Sequence, residues 1–275
     1  MQTTELLQRL AQKRIIGTLP KEVRNMAIDS RLVEEKTIFI CIKGYTVDGH
    51  DFAQQAVDSG ATVIVTEREL DLTGDVAQVI VRSTERSLGL LAAKFYDYPS
   101  QDLTMIGVTG TNGKTTVSNM IEKMLLGLGI KSALKGTIGF DINGTLYQSS
   151  NTTSDALSTQ QMIFRAKSEH CRAMIMGVSS HGLVLGRVAG IDFDVAIFTN
   201  LTQDHLDFHG TMENYGNAKG MLFSQLGQDL TKDKHVVLNS DDAWSEKYET
   251  LTPFPIWRYA LHDETADFRG VDITY

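Results

Sequence analysis

A glycine-rich stretch at residues 109–116 has the residue types that bind phosphate groups. Its sequence, Thr-Gly-Thr-Asn-Gly-Lys-Thr-Thr, directly follows an apolar run at residues 103–108. Glycines let a backbone approach an anion closely, while Lys114 would neutralise the outer phosphates and the Thr115 hydroxyl would ligate a magnesium ion. The chemistry predicted for this stretch is therefore the binding of a phosphate-bearing ligand together with Mg²⁺.

The residues around this stretch predict a strand before it and a helix after it. Apolar residues recur at helical spacing from Val117 to Leu128, which places the free amides of the loop at a helix N-terminus. The general P-loop pattern has its first glycine where this chain has Val108, and the chain offers Gly107 and Gly110 instead. We interpret the stretch as a variant phosphate loop; the alternative is a glycine-rich turn with an incidental lysine.

Further polar clusters follow segments that are predicted to be strands. In a doubly wound sheet the ligand crevice forms at this end of the strands. Each cluster alone is equally well explained by helix caps, because hydroxyls and carboxylates often occupy cap positions. Their common placement around one phosphate loop favours a shared site. The clusters are residues 151–153, residues 178–183 with Arg187, and residues 199–207.

The order of predicted elements indicates an α/β protein with two domains. Residues 1–100 predict a small N-terminal α/β domain, and residues 101–275 predict a P-loop domain with a doubly wound, mostly parallel sheet. The segment Tyr-Pro-Ser around Pro99 is the predicted hinge, and Asn143 with Gly144 predicts a hairpin turn. The predicted helices are residues 4–13, 53–60, 84–96, 158–168 and 213–226, and the predicted strands are residues 37–42, 61–66, 76–81, 173–178, 195–201 and 235–239.

Composition limits the classes of function. The formal net charge of -8 argues against a general nucleic-acid binder, since affinity for a polyanion comes mainly from clustered lysine and arginine. The sequence contains neither a secretory signal nor an apolar run long enough for a membrane span, so we expect a cytoplasmic protein, and we expect a monomer. Cys41 and Cys171 have no metal-ligand spacing and are expected to be reduced.

Taken in order, the polar segments resemble the Mur ligase family. The likeness extends over essentially the whole chain, and its most specific part, residues 193–213, resembles the lysine-adding branch. The resemblance implies an ATP-dependent, amide-forming ligase of peptidoglycan precursor synthesis. The segments that carry it are residues 110–116, 151–153, 178–181 and 199–205, Tyr215 with Ala218 and Lys219, and Asn239 with Asp241 and Asp242.

The resemblance also implies a reaction and a set of site residues. In the family, ATP phosphorylates a carboxylate of UDP-N-acetylmuramoyl-L-alanyl-D-glutamate, and the amine of an amino acid attacks the acyl phosphate. ATP and Mg²⁺ are the implied cofactors, and Lys219 is implied to be carbamylated, which would make it an anionic oxygen ligand for Mg²⁺. The implied residues are Gly110, Thr111, Asn112, Gly113, Lys114, Thr115 and Thr116 for ATP; Lys114, His205 and Lys219 for catalysis; Thr115, His205 and Lys219 for the metal; and Ser30, Tyr45, Thr46, Asn151, Thr152, Thr153, Ser179 and Arg187 for the UDP-muramoyl peptide.

Two departures from the family pattern predict that this chain has little ligase activity by itself. Gly177 stands where the family has a metal-binding glutamate, and no segment corresponds to the C-terminal domain that binds the amino acid and closes over ATP. Residues 268–275 resemble the opening of a strand or hairpin that has no partner strand in the sequence, which predicts a fragment. The family selects its amino acid in that C-terminal domain, so the expectation of lysine rests on overall likeness.

Two other classes of function compete with the ligase. A non-catalytic module that holds the UDP-muramoyl peptide or a nucleotide would bind its ligand without turnover. A generic P-loop ATPase has less support, because no predicted strand ends in a Walker-B-like aspartate beside the loop, and the hydroxyl-rich segments would have no role.

Overall fold

The chain folds into two compact units. The computed structural model describes residues 1–44, 47–136, 139–147, 155–226 and 231–274. The first unit comprises residues 1–98, 154–161 and 185–190, and the second comprises residues 99–153, 162–184 and 191–275. Each unit combines helices with a mostly parallel sheet, which confirms the predicted α/β fold class.

The first unit is built around a five-stranded sheet. Its elements are α1 (Thr3–Leu7), β1 (Arg14–Ile16), β2 (Asn25–Ala27), β3 (Thr37–Ile40), α2 (Ala53–Asp58), β4 (Ala61–Thr66), β5 (Ala77–Ile80) and α3 (Thr84–Phe95). The strand order is β1-β5-β4-β3-β2, with β1 antiparallel to β5 and the other pairs parallel. The four residues of β3 are all buried, as expected of a strand covered on both faces.

Helix α1 is shorter than the predicted helix at residues 4–13. It ends at Leu7 because residues 14–16 form β1, which pairs with β5, and the chain has to turn between the two elements. Leu6, Leu7 and Leu10 are nevertheless all buried in one core cluster. The spacing of the leucines therefore predicted correctly that they are buried, and the predicted length of the helix was wrong.

The second unit contains a nine-stranded sheet in the order β14-β13-β12-β11-β6-β10-β7-β8-β9. The strands from β14 to β7 are parallel, and β8 and β9 continue the sheet antiparallel. The elements, in chain order, are β6 (Thr104–Thr109), α4 (Lys114–Gly127), β7 (Ser132–Lys135), β8 (Phe140–Ile142), β9 (Thr145–Tyr147), α5 (Ala156–Ser168), β10 (Ala173–Gly177), α6 (Ser180–Val184), β11 (Val195–Phe198), α7 (Leu206–His209), α8 (Met212–Ser224), β12 (His235–Asn239), α9 (Trp244–Glu249), β13 (Ile256–Ala260) and β14 (Phe268–Arg269).

Two local predictions in this unit can be compared with the structure. Asn143 and Gly144 form the turn between β8 and β9 with φ angles of 53° and 83°, so the predicted hairpin is confirmed. Phe268 and Arg269 form β14, which has β13 as its parallel partner, so the expectation of an unpaired strand there is wrong. The partner precedes β14 in the sequence.

Strand β6 is the point from which the sheet grows in both directions. Ile106 pairs with Ile175 of β10 on one side and with Val195 of β11 on the other. Helix α4 packs over β7, β10 and β6, and it buries Val117 and Ile121 against the apolar side chains of that sheet face. In such sheets ligands bind beyond the carboxyl ends of the strands at the point where strand order reverses. Here that point is the end of β6.

Candidate nucleotide site

The carboxyl ends of β6, β10 and β11 bring three polar segments together. Residues 110–113 follow β6, Ser179 and Ser180 follow β10, and residues 199–202 follow β11. Strand β11 ends at Phe198, three residues before the predicted end, and the residues beyond it leave the sheet to contact the loop after β6. The predicted strand, loop and helix start at residues 103–116 are confirmed as secondary structure.

The loop after β6 has the backbone shape of an anion cradle. Gly110 and Gly113 have φ angles of 150° and 85°, in the region that favours glycine, and Gly113 is the N-cap of α4. Lys114 is half-buried as the first residue of that helix, and its Nζ donates to the carbonyl oxygens of Gly110 and Thr111, each at 2.8 Å. A glycine-rich turn that leads into a 14-residue helix directs its amides toward an anion.

The segment after β11 fixes the shape of this loop. The Thr199 Oγ1 donates to the Asn112 carbonyl at 2.6 Å, and the Asn112 amide donates to Asn200 Oδ1 at 3.0 Å. The Thr111 amide donates to the Asn200 carbonyl at 2.8 Å. A Cβ atom at Gly110 would lie 1.9 Å from Thr199 Oγ1, so only glycine fits there. The first four residues of the predicted cluster at 199–207 therefore include the ones that hold the loop in shape, namely Thr199, Asn200 and Thr202.

Lys219, on α8, is the most unusual ionisable group of the site. It is 1% exposed, and its Nζ donates to the Gly110 carbonyl at 2.7 Å while lying 4.4 Å from the centre of the Tyr215 ring. Burial and the nearby Lys114 ammonium lower the pKa of Lys219 to about 7. A large fraction of this amine is neutral at neutral pH, which makes it a nucleophile. A solvated helix lysine would have neither the burial nor the shift.

A group of histidines lies beside Lys219. The backbone of His205 has a left-handed conformation, with a φ angle of 51°. The centre of its ring lies 4.9 Å from the centre of the His181 ring. The buried His209 shares a hydrogen bond of 2.9 Å with the Ser180 hydroxyl. Burial, together with His181, His205 and Lys219, lowers the pKa of His209, so its neutral form is favoured. His205 is the exposed member of the group, and its Nε2 lies 3.5 Å from Asp204 Oδ2.

The end of β10 presents little side chain to the site. Gly177 is exposed, and a Cβ atom built on it would meet only the Cβ of Lys114, at 4.0 Å. A larger side chain therefore has room there, next to the phosphate loop. The Ser179 Oγ accepts a hydrogen bond of 3.0 Å from the Gly182 amide at the start of α6, so the helix-cap interpretation holds for Ser179.

The other predicted substrate residues belong to the first unit or fall outside the described part of the chain. Ser30 and Arg187 belong to the first unit, where Ser30 is buried and its Oγ donates to Gln55 Oε1 at 3.0 Å. Arg187 lies near Glu85, whose pKa is raised by burial and by Glu67 and lowered by Arg187. Five further predicted residues lie outside the described part of the chain, namely Tyr45, Thr46, Asn151, Thr152 and Thr153.

Three residues that the family resemblance marked without a role hold the site together. Tyr215 is 1% exposed, and its hydroxyl lies 3.2 Å from Thr111 Oγ1. Asn239 Nδ2 donates to the Thr199 carbonyl at 2.8 Å, and Asp242 Oδ2 accepts from the Leu201 amide at 2.6 Å. All of them act by positioning residues 111 or 199–202. In the sequence, only the resemblance to the family pointed to these residues, and it did not indicate which contacts they make.

The donor set for a metal is incomplete without chemical modification. In the described ranges of the chain, no group of three His, Cys, Asp or Glu side chains is arranged to hold a metal ion. Thr115, His205 and Lys219 supply one hydroxyl, one imidazole and one amine. A carbamate on Lys219 would add the anionic oxygens that Mg²⁺ prefers, so the chemistry of this donor set would suit the ion in the carbamylated form.

Comparison with known proteins identifies the family of the chain and agrees with its fold. The model described as "Mur ligase middle domain" matches residues 108–275, and "Mur ligase family, catalytic domain" matches residues 22–96. The chain therefore belongs to the Mur ligase family, whose members are ATP-dependent ligases.

Within this family, the chain is similar to proteins that are named as lysine-adding ligases. The chain is 52% identical over 273 residues to a protein of Staphylococcus haemolyticus named UDP-N-acetylmuramoyl-L-alanyl-D-glutamate--L-lysine ligase, covering 99% of this chain and 55% of that protein. It is 47% identical to the protein of the same name in Staphylococcus aureus strain COL, with the same two coverages. The chain thus spans about half the length of the curated relatives it matches.

Solved structures agree in fold. The structure titled UDP-N-acetylmuramoyl-L-alanyl-D-glutamate--2,6-diaminopimelate ligase superposes with a TM-score of 0.80 at 31% identity, over 93% of this chain and 52% of that one. MurF ligase from Thermotoga maritima in complex with ADP gives a TM-score of 0.59 at 20% identity, over 88% and 51%. The second likeness concerns the fold alone. None of the described helices is long and apolar enough to cross a bilayer.

Proposed function

We propose that the second unit binds ATP with Mg²⁺ at residues 110–116, and that the chain is part of a ligase that adds L-lysine to UDP-N-acetylmuramoyl-L-alanyl-D-glutamate. The lysine-adding relatives at 47–52% identity support the substrate assignment. The observation that carries the proposal is the position of Lys219. Its buried amine shares the Gly110 carbonyl with Lys114 of the phosphate loop. An ordinary anion site has no need of a buried lysine with a depressed pKa.

Each residue of the site has a role in this proposal. The amides of residues 110–114 and the Lys114 ammonium bind and orient the ATP phosphates, as a preorganised electrostatic site does in phosphoryl transfer. Thr115, His205 and the Lys219 carbamate would hold Mg²⁺, and the ion would supply charge stabilisation for phosphoryl transfer. Tyr215 holds Lys219 beside the loop through its ring.

The depressed pKa of Lys219 explains how the carbamate would form. Only a neutral amine attacks CO₂, and a lysine with an ordinary pKa is almost entirely protonated at pH 7. The addition joins the Lys219 nitrogen to the CO₂ carbon and releases one proton. The carbamate anion attracts the Lys114 ammonium, which the protonated form of Lys219 would repel, so the site stabilises the product.

The UDP-muramoyl peptide is proposed to contact Ser30, Tyr45, Thr46, Asn151, Thr152, Thr153, Ser179 and Arg187, on the family resemblance. ATP and a nucleotide-linked substrate are intracellular metabolites, so we also propose a cytoplasmic location. The alternative is a module that binds these ligands without turnover. Gly177 favours that alternative, because it removes a carboxylate from a position next to Lys114.

Amide formation distinguishes the two functions. The chain would be joined to the C-terminal portion of a lysine-adding relative and supplied with ATP, MgCl₂, the UDP-muramoyl dipeptide and L-lysine. Phosphate release that requires both the dipeptide and lysine is the expected result, and Lys219→Met should abolish it. Binding of ATP and dipeptide without any phosphate release in the joined protein would instead support the module.

A further inference from the structure

A cavity beside α4 is lined by two carboxyl side chains and one lysine, whereas two lysines meet at the candidate nucleotide site. Its volume is about 130 Å³, and it opens between α4 and the strands β7, β8 and β9. Both nucleotide phosphates and the predicted substrate are anions, so they are poor candidates for a cavity lined by carboxyl groups. The residues lining it include Asn119, Glu122, Lys123, Leu134, Asp141 and Leu146.

Glu122 is the central group of this cavity. It lies on the buried face of α4 and is 2% exposed, yet its Oε1 has no hydrogen-bond partner among the described residues. A buried carboxyl oxygen without a partner is costly, because it loses the hydrogen bonds that water would supply. Glu122 lines the cavity, and a buried oxygen of this kind beside a cavity indicates a missing hydrogen-bond donor.

Asp141 adds a second carboxyl at the same wall. It lies on β8, pairs with Leu134 of β7 in the sheet, and comes within hydrogen-bonding reach of Glu122. Its Oδ1 accepts a hydrogen bond of 2.7 Å from the Gly144 amide in the hairpin turn, so the turn fixes its position. Burial and Asp141 raise the pKa of Glu122, while the exposed Lys123 opposes them only in part. The carboxyl pair therefore lacks a full counter-charge.

The size and walls of the cavity indicate which cation would fit. Leu134 and Leu146 line it together with the carboxyls, so it has an apolar part as well as an acidic part. No group of three metal-type side chains occurs among the described residues, which leaves a metal ion short of ligands here. An apolar cavity of about 150 Å³ holds benzene, so 130 Å³ suits a molecule of five or six heavy atoms.

We propose that this cavity binds a small primary alkylammonium ion, with the ammonium between Glu122 and Asp141 and the alkyl part against Leu134 and Leu146. The ammonium donates to the unpartnered Glu122 Oε1 and balances the charge of the two carboxyls. Thr115 and Asn119 also line the cavity, and Asn119 Nδ2 donates to the Thr115 carbonyl at 2.7 Å. The occupant is therefore next to the first turn of the phosphate-loop helix. The amine site can be tested separately from the ligase assignment. The four residues proposed to contact the amine have no proposed role in turnover, and Thr115, which has one, only lines the cavity.

Titration with n-butylammonium chloride tests the site, observed through ¹H–¹⁵N correlation spectra of the whole chain. Saturable shifts of the Asn119, Glu122 and Asp141 amides are expected. The isosteric alcohol n-butanol, and KCl at equal ionic strength, should not reproduce them. If n-butanol binds as tightly, or if the amine leaves these signals unchanged, the proposal is overturned. Saturable MgCl₂ shifts at Glu122 and Asp141 that exclude the amine would assign the cavity to a metal ion and overturn it as well.

Variants separate the charge of the cavity from general effects. Glu122→Gln keeps the shape and removes the charge, and it should weaken amine binding at least tenfold; Asp141→Asn serves the same purpose if that variant folds poorly. Lys123→Met removes a competing cation and should strengthen binding about threefold, the size of a surface charge effect. Glu246→Gln, at an exposed position of α9, is the matched control and should bind as the unchanged chain does. Equal affinity of Glu122→Gln and the unchanged chain contradicts the proposal.

Discussion

Two lysine side chains donate to one backbone atom at the centre of the candidate site. Lys114 and Lys219 both contact the Gly110 carbonyl, at 2.8 and 2.7 Å. Like charges this close oppose each other, and the burial of Lys219 makes it the one that loses its proton more easily. The site is thus prepared for negative charge in two places, at the loop amides and at the Lys219 nitrogen.

Lys114 should control nucleotide affinity. We expect Lys114→Ala to weaken ATP binding at least tenfold, or about 1.4 kcal/mol, because a buried point charge near the phosphates is lost. Isothermal titration calorimetry measures this directly. Lys131→Ala, at an exposed position outside the site, is the matched control. Unchanged affinity in Lys114→Ala would remove the phosphate-loop assignment.

The pKa of Lys219 predicts a pH dependence for its carbamate. The neutral amine reacts with CO₂, and the pKa of about 7 lies well below the ordinary lysine value, so the neutral fraction rises between pH 6 and pH 8. At fixed CO₂ pressure, a ¹³C carbamate resonance from ¹³CO₂ should therefore grow across this range. Lys219→Arg should lack it and Lys131→Arg should keep it. A resonance that persists in Lys219→Arg would place the carbamate elsewhere.

Gly177 offers a gain-of-function test. The open space at its Cβ position means that Gly177→Glu should fold with little loss of stability and place a carboxylate beside Lys114. In the chain joined to a relative's C-terminal portion, this change should raise ligase turnover roughly a hundredfold, the effect of one preorganised electrostatic group. Steady-state phosphate release measures it. Equal turnover with glycine and glutamate would show that the departure at position 177 is harmless.

At the scale of elements, the phosphate loop depends on its contact with the end of β11. Gly110→Ala should lower the free energy of unfolding by about 3–5 kcal/mol, because it combines an unfavourable φ with a steric overlap with Thr199. Gly144 has a φ of 83°, and a Cβ atom built on it would meet nothing within 4 Å. Gly144→Ala should therefore lower the free energy of unfolding only through the unfavourable backbone conformation, by about 1–2 kcal/mol.

Chemical denaturation of both variants measures the difference. Adding Thr199→Ala to Gly110→Ala should recover the steric part, which a double-mutant cycle isolates. Similar losses in Gly110→Ala and Gly144→Ala would mean that the overlap with Thr199 is relieved by a small movement and contributes nothing.

Elements that are specified by residues next to one another in the sequence could be predicted. Elements that depend on a partner far away in the sequence could not. Residues 109–116 fold as a loop and helix start because glycine and helix-forming residues specify them directly, and Asn143 with Gly144 specifies its own turn. Strand β1 is three residues long at the sheet edge, and its partner β5 is more than sixty residues away, so no local pattern marks it. Strand β13 was also missed, although its partners β12 and β14 are close to it in the sequence.

The site divides in the same way. The loop lysine was identified from its neighbours in sequence, whereas an isolated Lys219 would have been read as a surface residue, since lysine is rarely buried. Its burial comes from the packing of α8 beside the loop, 109 positions earlier in the chain. Glu122 also lies within an apolar helical pattern, and only the position of Asp141 on β8 makes it unusual.

At the scale of the whole molecule, the chain is acidic but its proposed ligands are anions. With a net charge of -8, long-range attraction does not favour them, so the loop amides, Lys114 and the residues of the first unit have to supply binding locally. We expect a polypeptide of these 275 residues to bind UDP-N-acetylmuramoyl-L-alanyl-D-glutamate without turning it over, because the lysine-adding relatives are nearly twice as long. Calorimetry with the dipeptide, followed by a phosphate-release assay, tests both parts.

Arg187→Ala should weaken this binding, and Arg165→Ala, on α5, provides the arginine control. A folded protein without any heat of binding at saturating ligand would contradict the substrate assignment. Measurable phosphate release that depends on the dipeptide would show that these residues suffice for the first chemical step.

The hydrogen bonds between the phosphate loop and the later segments also set the order in which a newly made chain can mature. Thr199 and Lys219 follow their loop partners by 87 and 109 residues. Ribosomes add about 5–20 residues per second, so the loop sequence exists for on the order of 5–20 s before its supports have been synthesised. During that interval β6 also lacks its neighbours β10 and β11. A nascent chain therefore carries the complete motif before it has the proposed nucleotide site, and we expect ATP binding only after β10 and β11 have joined β6.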